Sequence, residues 1–152
     1  MKNKTAKDIM TTDVIVAKKD DSLVNIANLL IKEKIGGLPV VDSNNKVVGI
    51  ISETDIMKKE KYIEMPQIIN FMQGIIYLDD FKKMEEDMKK IGAYKVEDLM
   101  STDIIKVHED DEFDDIANLM IKKSINRVPV VDGENCLKGI ICRYDIIKAM
   151  YN

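Results

Sequence analysis

The chain has 152 residues, 45% of them hydrophobic and 33% charged, with a formal net charge of −4. That length suits one compact unit, or two small halves sharing a core. The mildly acidic balance argues against nucleic acid as the main partner, because phosphate binding wants a basic face. The N-terminal residues are polar with no apolar leader behind them, and the most apolar stretch, Ile68 to Leu78, is short and broken by Asn70 and Gln73. Neither a signal peptide nor a membrane span is expected, and the reading is of a cytoplasmic protein.

Asp8-Ile9-Met10-Thr11-Thr12-Asp13 forms a short lead of mixed polarity. Val14 to Ala17, short and β-branched, predicts a first strand. Lys18 to Asp21 is a turn, after which Asp21 or Ser22 can cap a helix. In that helix Leu23, Ile26, Ala27 and Leu30 recur at i, i+3, i+4 and i+7, one apolar stripe. Lys34-Ile35-Gly36-Gly37 ends it, with a glycine expected to take the left-handed C-cap. Leu38 to Val41 is continuously apolar, which suits a strand covered on both faces. Asp42 to Asn45 is turn chemistry. Val47 to Ile51 is a further strand, and a short helix starts near Ser52 and runs through Ile56 and Met57.

Val40 to Asp55 then returns as Val130 to Asp145, ninety positions on and without a gap. Such a repeat decides the fold. Each copy reads strand, helix, strand, strand, helix, a small α/β (α+β) unit that can hardly bury a full core alone. A second copy packed against it solves that problem. The expected division is a first repeat at 6–60, a helical insert at 61–94 and a second repeat at 95–150. In the insert Leu78, Phe81, Met84, Met88 and Ile91 mark one stripe, and acidic residues lead while lysines close, as a helix dipole favours. It reads as an extra helical arm, and a dimer contact or a lid are the sharper alternatives.

Cys136 and Cys142 fall on one predicted strand, where six extended steps hold their Cα atoms roughly 20 Å apart, beyond disulfide reach. They are expected to be buried reduced thiols. The one histidine, His108, has no His or Cys at ligand spacing, so no metal site is expected. No nucleophile triad and no Walker-type loop is present, and one histidine leaves little for acid–base work at neutral pH, so an enzyme is not expected.

Three matched motifs carry a family resemblance. They are the lead Asp8-Ile9-Met10-Thr11-Thr12-Asp13 against Asp98-Leu99-Met100-Ser101-Thr102-Asp103, Pro39-Val40-Val41-Asp42 against Pro129-Val130-Val131-Asp132, and Gly49-Ile50-Ile51 to Asp55 against Gly139-Ile140-Ile141 to Asp145. Both halves resemble CBS domains, over nearly all of 6–57 and 96–150, and the whole resembles a tandem CBS pair, or Bateman module. The resemblance implies two β-α-β-β-α repeats packed through their sheets with pseudo-two-fold symmetry, two clefts between them, and a homodimer. In many members the clefts take adenosine compounds such as AMP, ADP, ATP or S-adenosylmethionine, as regulatory ligands rather than required cofactors.

The family signature Gly, two apolar residues, Ser or Thr, two residues, Asp is met by Gly49 to Asp55. Asp55 would accept a ribose cis-diol, and Ser52, Thr54 and the free N–H groups of the helix start would face phosphate. Ile15 or Ile105 would cover the adenine. Equally, Ser52 and Asp55 form a capping box that merely stabilises a helix start. In the second copy Cys142 replaces the hydroxyl, a weak hydrogen bonder and a poor cap, and Arg143, Tyr144 and Asp145 follow. Arg127, after Asn126 and just before Val128-Pro129, stands where family members often carry a basic residue that reaches phosphate. Gly36 and Gly37, just before Leu38-Pro39, hold the matching place in the first copy and offer no charge. The two clefts are therefore expected to be unequal. Asp13 and Asp103 read as pocket rims or turn residues, and His108 and Lys18-Lys19 as solvated turns. A ligand-sensing module acting on an unknown protein target is the first expectation. A ligand-free dimerisation or interaction adaptor is the alternative.

Overall fold

The apolar runs on either side of Asp42 and Asp132 form two matching β-hairpins. The computed structural model describes residues 4–60 and 94–152. The expected arm, the stripe from Leu78 to Ile91 included, lies outside the described residues. The elements in chain order are α1 (Ala6–Ile9), α2 (Leu23–Glu33), β1 (Gly37–Val41), β2 (Val47–Ser52), α3 (Glu53–Glu60), α4 (Val96–Leu99), β3 (Val107–His108), α5 (Phe113–Lys122), β4 (Arg127–Val131), β5 (Leu137–Cys142) and α6 (Arg143–Tyr151).

β1 and β2 pair antiparallel from Gly37 with Ser52 to Val41 with Val47, and β4 and β5 repeat the register from Arg127 with Cys142 to Val131 with Leu137. Each hairpin turn is held by its aspartate. The Asp42 carboxylate accepts the N–H groups of Asn44 (2.9 Å) and Lys46 (3.0 Å), and Asp132 accepts those of Glu134 and Cys136 at the same distances. These donors hold both carboxyls below the ordinary carboxylate range. Asn45 and Asn135 take the left-handed position of the turn, at φ 62° and 66°. Every residue of β1 is buried, as its unbroken apolar run predicts. The expected first strand is reduced to less. Val14 to Ala17 contributes one parallel bridge, Ala17 to Val40, and Ile104 to Val107 becomes the two-residue β3, parallel to β4.

The helices follow the apolar stripes. Leu23, Ile26 and Leu30 are buried on α2, and Phe113, Ile116 and Met120 on α5. Ser22 caps α2 by accepting from Asn25 N at 3.2 Å, while Asp21 holds the preceding turn through Lys18 N. The expected glycine C-cap is a correction. The left-handed residue after α2 is Lys34 (φ 53°), and Ser124 (φ 54°) serves after α5. Gly36 and Gly37 have a different reason to be small, given below.

The sequence repeats and the packed halves do not coincide. Ala6, from the first copy, is fully buried in the core built by Val107, Ile116, Val128, Val130 and Ile141 of the second. Val96, from the second copy, is fully buried with Leu23, Ile26, Leu38 and Ile51 of the first. The backbone follows suit. Thr11 exchanges two hydrogen bonds with Ile140 and Ser101 exchanges two with Ile50, at 2.9–3.0 Å. Each lead therefore starts on the other repeat and crosses to its own.

Two glycines permit that crossing. A Cβ at Gly139 would lie 2.5 Å from Met10 Sδ and 2.9 Å from the Thr11 carbonyl oxygen, and one at Gly49 would lie 2.6 Å from Met100 Sδ. A methionine can shift, but the backbone oxygen is fixed by its bond to Ile140. Gly139→Ala is expected to lower the unfolding free energy by about 1–3 kcal/mol, an overpacking cost, read by urea denaturation.

Candidate functional site

Both signature segments begin a helix at the same end of the molecule. Ser52 pairs with Gly37 and leads into α3, and Cys142 pairs with Arg127 and leads into α6. The crossed leads decide what faces each helix start. Ser101 is bonded to Ile50, so this lead passes two residues from Ser52 before Ile105 reaches the second core. Thr11 is bonded to Ile140, so the other lead passes two residues from Cys142 before Ile15 reaches the first core. Ile15 and Ile105 are half-buried against the first and second cores. Each lead is thus bonded, close to a helix start, to the strand of the other repeat.

The capping and the ligand readings of Asp55 prove compatible. One carboxylate oxygen, Oδ2, accepts from Ser52 N (2.9 Å) and Ser52 Oγ (3.1 Å). Among the described residues no donor reaches the other oxygen. Asp145 repeats this with Oδ2 accepting from Cys142 N at 2.7 Å, so the missing hydroxyl does not abolish the cap. Each aspartate is half-buried over a helix N-terminus, with one carboxylate oxygen that no donor among the described residues reaches. Thr54 and its counterpart Tyr144 are exposed on the first turns of α3 and α6, Tyr144 by 73%. Pro39 and Pro129 are fully buried inside their strands and present no surface to a cleft. Asn126 is exposed, and its carbonyl accepts from Arg143 N. Asp13 and Asp103 lie exposed on the leads.

Arg127 crosses between the repeats. Its Nη1 lies 2.6 Å from where a Cβ of Gly37 would stand, and its Nη2 lies 2.7 Å from that of Gly36. The glycines make a seat for the guanidinium, which is why this half of the repeat lacks side chains there. The Glu53 carboxyl borders the same place, 3.4 Å from the Gly36 position. No carboxylate among the described residues comes within ion-pair distance of Arg127. Arg143, the first residue of α6, donates instead to the Ile125 carbonyl through Nε at 3.3 Å. Sequence periodicity gives no signal for this seat, since its two sides are ninety positions apart.

Cys142 is half-buried rather than enclosed, as is Cys136, and neither is bonded to another sulfur. Burial pushes the Cys142 thiol up, the Asp145 carboxylate pushes it further, and Arg127 pulls it back. A separate open hollow of about 520 Å³ lies by Ile104, Ile105, His108, Asp132 and Asn135. It shares only Ile105 with the cleft residues and is not lined by Asp55, Asp145 or Arg127. Among the described residues no cluster of His, Cys, Asp and Glu could hold a metal ion, and no helix is long and apolar enough to cross a membrane.

Residues 6–62 and 96–152 each match the family pattern of the CBS domain. The uncharacterized protein MJ1426 of Methanocaldococcus jannaschii is 37% identical over 95% of this chain and 89% of its own length. Of two longer relatives from that organism the chain spans only 23% and 47%. The solved structure of CBSX2, an Arabidopsis thaliana protein, in complex with AMP is 26% identical. It matches 97% of this chain and 96% of its own, with a TM-score of 0.74. The CBS domain pair of protein MJ0100, in complex with 5′-methylthioadenosine and S-adenosyl-L-methionine, is 29% identical. The likeness covers 97% of this chain and 95% of that one, with a TM-score of 0.72.

The thiol offers a check on the position of Arg127. With its pKa raised above the ordinary 9.0, Cys142 is protonated at neutral pH. Its alkylation rate should keep climbing with pH beyond the ordinary thiol range. Arg127→Gln should slow it further at pH 8, because the one charge favouring thiolate is gone. Mass spectrometry of iodoacetamide-treated protein resolves Cys142 from Cys136 and reads both effects.

Proposed function

Because the chain belongs to the CBS domain family, with one repeat at 6–62 and a second at 96–152, we propose that it is a regulatory module sensing an adenosine compound in the clefts between its repeats. The carrying observation is the Asp55 carboxylate oxygen that no donor among the described residues reaches, held over the N-terminus of α3 by a cap on its other oxygen. A ribose cis-diol presents two O–H donors, and such an oxygen is the acceptor they need. Ile105 on the facing lead supplies an apolar wall for adenine, and the open N–H groups of the helix start face a 5′ phosphate. Asp145 with Ile15 forms the second, poorer cleft, where Cys142 withholds the hydroxyl that Ser52 provides. AMP on CBSX2, and 5′-methylthioadenosine and S-adenosyl-L-methionine on MJ0100, support an adenosine ligand here. The chain acts on a protein target and is not itself an enzyme. A ligand preferring one arrangement of the repeats is enough for such regulation.

Melting midpoints against AMP, ADP, ATP and S-adenosylmethionine, each over a concentration series, test this. A ligand of the folded state raises the midpoint by mass action, by about 2.7 kcal/mol of stability at a hundred times its Kd. Asp55→Asn should keep the midpoint of the empty protein, since the amide oxygen still accepts Ser52 N–H, and lose most of the ligand-induced rise. No rise with any compound would leave the ligand-free adaptor as the function.

The module also carries a face suited to a second copy of itself. Ile31 on α2 and its counterpart Ile121 on α5 are 76% and 77% exposed. Met57 on α3 and Ile147 on α6, again counterparts, are 66% and 54% exposed. An isologous dimer buries the same patch on both copies, and exposed apolar groups on both repeats give such a patch area to bury. Sedimentation should give twice the chain mass for the wild type and a monomer for Ile31→Asp/Ile121→Asp. A wild-type monomer would reject the dimer.

A further inference from the structure

Equivalent residues of the two repeats meet along one seam. Lys46 bridges Cys136, and the Asn45 and Asn135 side chains each donate to a backbone carbonyl of the opposite hairpin, Leu137 and Val47. Val41, Val47 and Val131 form a small shared core with Leu137 against it. At the far end of β1 and β4, Arg127 lies on its own counterpart, Gly37. A pseudo-two-fold axis therefore runs along this seam, and Arg127 occupies its end. Two residues related by such an axis compete for one place, so a long cation fits on one side only if the other side is glycine.

α3 and α6 both start from this end of the seam, on opposite sides of the axis. The guanidinium lies over Gly36 and Gly37 beside Glu53, the first residue of α3. Its own backbone is paired with Cys142, the residue before α6, and its charge acts on that thiol. It has no ion-pair partner among the described residues. Resting on the reading of the clefts as adenosine sites, we infer that Arg127 is a single cation shared by both clefts, able to serve the phosphate of either ligand but of only one at a time. Phosphate-bearing ligands then bind with negative coupling, and the first to arrive takes the arginine. Ligands without phosphate escape the coupling. The module thereby counts anionic occupancy, distinguishing one bound nucleotide from two.

The test is calorimetric titration with AMP and with adenosine. Asp55→Asn and Asp145→Asn each weaken one cleft while keeping an acceptor for the helix cap, so that the other is measured alone. Arg127→Gln is then added to each. The expected result is that Arg127→Gln weakens AMP roughly tenfold in both backgrounds, the loss of a charge-assisted contact, and leaves adenosine unchanged. In the wild type the second AMP should bind roughly tenfold more weakly than the two clefts measured singly would give, a coupling of ordinary allosteric size. Loss of AMP affinity in one background only, or in neither, overturns the shared cation. So does two-step AMP binding that equals the product of the single clefts. Unaltered adenosine binding shows that Arg127→Gln still folds. Should the wild type bind neither compound, the adenosine reading fails and takes this inference with it; adenosine binding without any AMP advantage overturns this inference alone.

Discussion

The structure depends on two missing side chains, at Gly49 and Gly139. At each, the sulfur and backbone of a lead from the other repeat stand where a Cβ would be. With that room the leads bond edge-on to β2 and β5, and Ala6 and Val96 complete cores to which they do not belong in sequence. Without it, each repeat would be a hairpin and two helices with an open side, too small to bury a core. The crossing of the leads follows from the same constraint. A lead that starts on one repeat and ends on the other must cross the space between them, and its crossing stretch faces a helix start.

A second pair of glycines acts in the opposite sense. Gly49 and Gly139 are matched between copies and keep the molecule symmetric. Gly36 and Gly37 are matched by Asn126 and Arg127 and break that symmetry where it matters. An arginine on each side of the axis would place two like charges in one site. One arginine and one glycine solve the steric and the electrostatic problem together. The two helix starts differ in polar groups, Ser52 and Glu53 against Cys142 and Arg143, on either side of Arg127.

Much of this was legible in the chain. The apolar runs of β1 and β4, the stripes of α2 and α5, and the turn aspartates follow from local patterning, and each was doubled by the repeat. What the repeat could not reveal is which copy a residue touches. Equivalence says that Met10 and Met100 do the same thing; it does not say that they do it on each other's halves. The glycines after α2 mislead for the same reason. Read locally, they are a helix C-cap, yet Lys34 takes the left-handed turn, and the reason for the glycines lies across the axis in Arg127. The first strand was overestimated because β-branched residues favour extended backbone wherever they fall. In Val14 to Ala17 only Ala17 finds a bridging partner, on Val40. Asp55 is legible as either cap or ligand group, and the structure shows the cap on one oxygen.

The exchanged leads also set an order of assembly. The carbonyl of Lys4 accepts from Phe113 N, and its side chain reaches the Ala149 carbonyl on α6. During synthesis α1 emerges well before its seat on β5 and α6 is made. The early residues must wait, with Ala6 and Met10 in solvent, until β5 and α6 have been made. A neighbouring nascent chain that has reached the same stage offers an identical seat. Strand-exchanged dimers, in which each leader docks on the other polypeptide, are then a kinetic hazard of crowded translation, built from the same bonds that close the monomer.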